Sequence, residues 1–212
     1  MSNNQYSESY LVNNTLLSDR IIKQDVNTNN YFYSLSGELK KHFKNVVLEA
    51  GVKYNFTSIK QDLDEISPFI PNPTGSYENE LNYKEHIMAF FSEISGAFKK
   101  FRYTLGLRAE NTFYKGYALD EDSDIKKNYF NIFPTVKIGR SINRHYLSFS
   151  FKRNIRRPRF NQLIPFKRYT GNFSYYTGNP NLISYFPYSY DLYYSYNNSL
   201  WANISYSHAM LS

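Results

Sequence analysis

Cysteine is absent from the 212 residues, which removes disulfides, thiolate metal sites and thiol nucleophiles together. Long apolar runs are absent as well: no stretch approaches the roughly 18 residues that a membrane helix requires. Mean hydropathy is −0.59, the value of a soluble chain. That average misleads for a barrel, where lumen-facing polar residues alternate with lipid-facing apolar ones and cancel it. The opening MSNNQYSESYLVNN has no basic stretch leading into an apolar core, so it does not read as a signal peptide. Histidines His42, His86, His145 and His208 are scattered without metal-ligand spacing. No GxSxG, HExxH, phosphate-loop or dinucleotide motif is present. Asp120, Glu121, Asp122 and Asp124 offer alternating oxygens, but without the glycine and distal glutamate of a calcium loop they read as a solvated loop. The expectation is a protein that is not an enzyme and carries no cofactor and no metal.

Aromatic residues are abundant instead, with 22 Tyr and 17 Phe making up most of a 19% aromatic content. Aromatic and β-branched side chains fit a pleated surface, and Tyr in particular suits a membrane interface. The net charge is +7. A polar surface that is simply basic accounts for it, with an anionic partner as the second reading.

Period-2 alternation dominates the chain. Tyr31, Tyr33, Leu35, Gly37 and Leu39 face one way and Ser34, Ser36 and Glu38 the other. From Val46 to Phe56 the even positions are apolar, while Glu49, Lys53 and Asn55 lie opposite. A third strand, His86 to Phe98, follows the rule except for Phe91 on its polar face. The fourth is the clearest, with Phe101, Tyr103, Leu105 and Leu107 against Arg102, Thr104, Arg108 and Glu110. Four more follow around Phe130–Ile138, Leu147–Phe151, Tyr188–Tyr196 and Leu200–Tyr206. The fold class is therefore all-β: an antiparallel meander of about eight long strands, a segment of a transmembrane outer-membrane β-barrel. Most strands have the roughly 9–12 residues needed to cross a bilayer at a tilt.

Connections alternate in length. Lys41–Lys44, Lys99-Lys100, Ser141–Arg144 and Asn197–Ser199 read as tight polar turns, and Ser58–Asn82, Gly116–Asn128 and Asn154–Tyr185 as long loops. Short turns on one side and long loops on the other mark outer-membrane barrels. Pairing Phe98 with Phe101, Tyr196 with Leu200 and Lys40 with Asn45 keeps face matched to face. Phe98, Phe101 and Tyr146 near the turns, and Tyr54, Phe56, Phe113, Phe130 and Tyr188 near the loops, read as two aromatic girdles. The alternative is a soluble β-sandwich or barrel that binds carbohydrate or nucleic acid through aromatic and basic residues. Against it, the rings lie on the face opposite most charges. Residues 1–30 form a weakly patterned N-terminal segment in which Tyr10–Leu17 reads as the remnant of a strand, and residues 31–212 form the partial barrel.

The most specific words lie downstream: LGLRAENT (Leu105–Thr112), YFNIFPTVKIG (Tyr129–Gly139), FSFKRNIRRPRFNQLIPF (Phe149–Phe166), YYTGNPNL (Tyr175–Leu182) and YSYDLYYSY (Tyr188–Tyr196). In this order they resemble the outer membrane β-barrel family found in the C-terminal barrel parts of TonB-dependent receptors of Gram-negative bacteria. The upstream LEAGVKYN (Leu48–Asn55) fits the same family, extending the resemblance over nearly the whole chain from Tyr31. It implies part of the barrel wall of a receptor that imports a large solute, such as a metal chelate or glycan, across a Gram-negative outer membrane. The implied partners are outer-membrane lipid and lipopolysaccharide, with the TonB system and a plug domain reached through an N-terminal part not in this sequence, and no nucleic acid. Family members carry a signal peptide, a TonB-contacting segment and a plug ahead of the barrel. Here Asp191 stands where Glu is usual, and Ala209–Ser212 lacks a terminal aromatic. The expectation is a fragment that does not transport alone.

By this resemblance Arg153, Arg156, Arg157 and Arg159 sit where a strand runs into a long external loop. They are candidate ligand contacts, since Arg grips oxyanions bidentately. The structural reading has Pro158 ending the strand and the arginines pairing lumen carboxylates. Phe173, Tyr175 and Tyr176 are candidate ligand contacts on the same loop, or else part of a loop folded around a turn set by Asn179-Pro180.

Overall fold

The computed structural model describes residues 2–12, 15–66, 76–118, 123–163, 167–171, 174–179, 181–197 and 199–211. One antiparallel sheet of nine strands runs in chain order: β1 (Ser2–Val12), β2 (Thr15–His42), β3 (Val46–Ile66), β4 (Ser76–Phe98), β5 (Phe101–Ala118), β6 (Ser123–Ile142), β7 (His145–Arg153), β10 (Tyr185–Tyr196) and β11 (Leu200–Leu211). Between β7 and β10 lie a single helical turn, α1 (Phe160–Leu163), and a small hairpin of β8 (Arg168–Gly171) and β9 (Ser174–Tyr176).

The turns are where the alternation places them, with one change of register. Phe98 faces Phe101 and Tyr196 faces Leu200. Lys40, however, pairs with Glu49 and not with Asn45. The strand runs on to His42, and the Phe43 N–H donates to the Val46 carbonyl at 2.8 Å. Lys40 Nζ then reaches Glu49 Oε2 at 3.0 Å. A cross-strand pair of opposite charges favours this register. Both registers leave the faces unchanged, because they differ by an even number of residues.

Strand length is uneven. β7, β10 and β11 have 9, 12 and 12 residues, close to the minimum for crossing a bilayer. β2, β3, β4 and β6 have 28, 21, 23 and 20. The expected loops over Ser58–Asn82 and Gly116–Asn128 are thus mostly strand, since β3 runs to Ile66, β4 starts at Ser76, β5 runs to Ala118 and β6 starts at Ser123. Residues 15–30 are likewise part of β2, and Tyr10–Leu17 spans the β1–β2 connection.

The physical reason lies in a change of face. A row of rings crosses the sheet at one height: Tyr33 over Phe56 (6.1 Å), Phe56 over His86 (4.9 Å) and His86 over Phe113 (6.1 Å). On the turn side of this row the lipid face is apolar and exposed, as at Leu35, Val52, Phe90 and Leu107. On the loop side the same face becomes polar: Asp25, Asn27 and Asn29 on β2, Ser58, Lys60 and Asp62 on β3, Glu80, Asn82 and Lys84 on β4. Lys60 Nζ lies 3.3 Å from Glu80 and 3.7 Å from Asp62. This pairing holds the Lys60 ammonium above its ordinary pKa, while Asn82 and Lys60 hold the Glu80 carboxyl below its own.

The opposite face inverts with it. Val26, Ile59, Leu63 and Leu81 occupy positions that carry polar residues nearer the turns, and all four are buried. Beyond the ring row the sheet meets water outside and packs a small core inside. From Phe101 to Phe113 there are twelve residue steps. At about 3.4 Å each and a tilt near 45° they span about 29 Å, close to the apolar band of a barrel. At its lower edge Arg140 lies 4.8 Å over Phe101 and Lys99 5.5 Å over Phe98, cations extending their stems along the interface. Tyr146, expected in that girdle, turns to the polar face, where it covers Gly139 and lies 6.2 Å from Tyr193. Phe91 is explained the same way: it lies across Gly51, its cross-strand partner, where a Cβ would stand 2.5 Å from the ring.

Candidate functional site

The segment leaving β7 does not project outward. Asn154 and Arg156 continue along β10, with Asn154 N–H donating to Pro187 O and Arg156 N–H to Tyr185 O, both at 2.9 Å. Past Pro158 the chain enters α1, and Phe160 packs against the Val26, Leu63 and Leu81 cluster and lies 6.0 Å from Tyr83. The loop is therefore seated on the polar face, above the ring row. Burial there pushes the Tyr83 hydroxyl well above the usual tyrosine range. Its far end is closed by Asn179, whose Oδ1 accepts the Asn181 N–H at 2.9 Å and whose N–H donates to Gln162 O at 2.7 Å.

Arg157 enters the sheet's polar face and forms an ion pair with Glu110, which Arg108 also contacts from two residues away on β5. Glu110 is 1% exposed. Thr112, fully buried beside it, receives a hydrogen bond from Arg157 Nη2 at 3.1 Å and donates to Glu110 Oε1 at 3.4 Å. A buried carboxylate needs such partners, because desolvation without them is costly.

Arg153 has a different task. The β6–β7 ladder ends at Thr135 and Lys152, so β6 beyond Pro134 lacks that neighbour. Arg153 Nη1 donates to the Ile132 carbonyl at 2.5 Å, and its guanidinium lies 4.4 Å over Phe186 and 5.5 Å over Phe133. It closes the end of the ladder with a side chain.

The four arginines singled out in the sequence therefore divide. Arg157 and Arg153 are built into the sheet, while Arg156 and Arg159 are exposed, Arg159 taking Gln162 Oε1 on its backbone N–H at 2.8 Å. Tyr175 and Tyr176 are exposed on the β8–β9 hairpin, with Lys167 Nζ 4.9 Å over the Tyr175 ring. Phe173 lies outside the described residues. Glu110, Arg108, Thr112 and Phe133 complete the site and were not singled out. The available signal was an Arg-x-Glu-x-Thr run on the polar face of the clearest strand.

Among the described residues three cavities adjoin the segment after β7. One of about 180 Å³ lies between Tyr83, Tyr114, Tyr129, Arg157, Phe160 and Leu182. Another of about 250 Å³ adjoins Tyr129, Asn131 and Phe186. The largest, about 470 Å³, is framed by Arg108, Phe133, Thr135 and residues 153–157. Among the described residues no three His, Asp or Glu side chains gather to hold a metal.

Amphipathic strands, a ring row and a loop folded onto the polar face define a membrane-spanning barrel wall. The chain belongs to the outer membrane protein beta-barrel family, whose model matches residues 1–210. Among solved structures it is similar to the ferric citrate transporter FecA in the unliganded form. The TM-score is 0.53 at 11% identity, over 88% of this chain and 28% of that one. It is also similar to the ferric yersiniabactin uptake receptor FyuA from Yersinia pestis. There the TM-score is 0.56 at 14% identity, over 98% of this chain and 32% of that one. At these identities the likeness is one of fold, and the chain spans under a third of either structure's length. No curated protein matches the chain in sequence.

Proposed function

We propose that the chain forms part of the barrel wall of a TonB-dependent receptor that imports a large solute, such as a metal chelate or glycan, across a Gram-negative outer membrane. The observation that carries this is the sheet itself. Eight amphipathic strands, β2 to β7 with β10 and β11, share one apolar band, and among the described residues β1 and β11 are each paired on one side only. Lipid cannot satisfy an open strand edge, so further strands complete the wall. A closed barrel of about eight strands is filled by its own side chains, whereas this wall carries a folded loop and three cavities on its polar face. A wider barrel leaves room for a plug domain, the part that engages the TonB system in this reading. The apolar band contacts lipid, and the charged strand ends beyond the ring row lie at the level of lipopolysaccharide.

Membrane fractionation and uptake test it. The protein is expected to stay in the outer-membrane pellet through high-salt and carbonate washes and to migrate faster on gels before boiling. Deleting its gene is expected to abolish energy-dependent uptake of one labelled chelate or oligosaccharide from a panel. Recovery as a detergent-free, protease-resistant monomer would sink the reading and restore the soluble carbohydrate- or nucleic-acid-binding alternative.

A further inference from the structure

The cavity of about 470 Å³ carries an excess of positive charge that its own residues do not offset. Four of its lining residues are arginines, Arg108, Arg153, Arg156 and Arg157, and none is a carboxylate. Glu110 stands beside it, but the Arg108 and Arg157 guanidiniums and the Thr112 hydroxyl already occupy its oxygens. Glu85 lines the smaller cavity that shares Arg157. The Nε atoms of Arg108, Arg153 and Arg157 are buried and find no acceptor among the described residues. Arginine does not relieve such crowding by losing a proton. Its charge persists and calls for an anion.

The shape of the cavity narrows the choice. Planar guanidinium forks match carboxylate geometry with paired hydrogen bonds. A volume of about 470 Å³ lies within the range of small-molecule sites, roughly 300–1,000 Å³, and exceeds what one carboxylate fills. Phe133 and Ile155 supply an apolar wall for a carbon skeleton. Arg153 is held in place by the Ile132 carbonyl and the Phe186 ring, so ordering it costs a ligand little. The backbone of Arg156 is fixed against Tyr185 while its side chain stays exposed.

We propose that this cavity binds a solute carrying two or more carboxylate groups. The inference rests on the receptor reading, because a solute reaches the polar face only through a lumen. It adds Arg108 to the arginines visible in the sequence and leaves out Arg159, which is not among the lining residues.

The test uses the full-length protein extracted from outer membranes, with labelled succinate as probe and acetate and inorganic phosphate as competitors. Succinate is expected to bind, with acetate and phosphate competing weakly and added salt weakening it. Arg156→Gln and Arg153→Gln are each expected to reduce affinity about tenfold, the order expected for a lost charge-assisted hydrogen bond. Arg156→Gln carries the test if other variants fail to fold, since Arg156 takes no part in the Glu110 ion pairs. Absence of succinate binding, or equal binding by wild type and Arg156→Gln, overturns the proposal. So does competition by phosphate as strong as by succinate, which makes the site a general anion hole. If Arg156→Gln lowers the melting temperature while wild type ignores succinate, an acidic side chain of the protein itself fills the site and the solute is excluded. Each of these outcomes leaves the receptor reading standing, which fails separately if the protein is absent from the outer-membrane pellet.

Discussion

Strands β2 to β4 pass through two environments, and the same backbone solves a different problem in each. On the turn side of the Tyr33–Phe56–His86–Phe113 row, apolar side chains point away from the site: Leu35 is 74% exposed and Phe90 60%, because their solvent is lipid. On the loop side the pattern turns inside out. Lys60, Asp62 and Glu80 take the outer face, and Leu63, 0% exposed, takes the inner one. Hydrogen bonding along the ladder is continuous through the change. What changes is which medium each face meets, and side-chain chemistry follows it. The segment from Asn154 to Leu163 can fold onto the inner face only because that face has become apolar there, giving Phe160 a partner.

If the two halves obey different solvents, the largest effect belongs to the charge cluster where they meet. Glu110→Ala leaves Arg108 and Arg157 without their carboxylate and is expected to cost about 3 kcal/mol, the order for breaking a buried pair on one side. Urea unfolding in detergent would read this, together with faster proteolysis between residues 154 and 184. Lys60→Met removes an exposed ion pair of the outer half and is expected to change neither measurement, as such pairs contribute little. Equal effects of the two substitutions would break the comparison.

The core of the outer half comes next. Leu63→Ala opens a cavity in a packed cluster and is expected to cost about 2–3 kcal/mol. Leu35→Ala exchanges a lipid contact and is expected to cost less than half as much in the same unfolding measurement. A charge sharpens the contrast from the other direction. Leu107→Arg, midway between Phe101 and Phe113 on the lipid face, is expected to cost about 2 kcal/mol or somewhat more. Ser58→Arg, on the same face past the ring row, is expected to stay within about 0.5 kcal/mol. A similar cost at both positions would show that the ring row does not mark the edge of the bilayer.

This inversion also decides how much of the fold was legible. Alternation with one apolar face identified the membrane-crossing parts of eight strands, because lipid enforces one face over an unbroken length. Past Phe56 the alternation continues but changes phase: Ile59 and Leu63 are odd where Val52, Tyr54 and Phe56 are even. A phase change reads as a break, so Ser58–Asn82 looked like a loop. Residues 15–30 went unread for a related reason, since Asp25, Asn27 and Asn29 meet water and need no apolar stripe. The site was half legible. The arginine run stood out as a cluster, but its division into Arg157 on Glu110 and Arg153 on the Ile132 carbonyl depends on pairings between β5, β6 and the loop. Those contacts are set by register across more than twenty residues, which local pattern does not encode.

The smallest expected effect concerns the turns, where the inner half ends. Asn143 and Asn197 adopt φ of 53° and 50°, and Lys99 adopts 55°. Asparagine tolerates the left-handed region because its short amide bonds locally. Lysine has no such compensation and pays for its Cβ there, about 1 kcal/mol. What keeps Lys99 is its position, with Nζ over the Phe98 ring at the lower interface, a contact that contributes about 0.5 kcal/mol at an exposed site. Lys99→Gly removes the steric cost and the ring contact together, while glycine loses more freedom on folding. The balance is expected to be a gain of no more than about 0.5 kcal/mol. Lys99→Asn keeps a side chain suited to the left-handed region and is expected to gain slightly more. Unfolding midpoints of the two variants in one detergent would separate these terms. A loss of stability in both would show that the ring contact, and not the backbone, governs this turn.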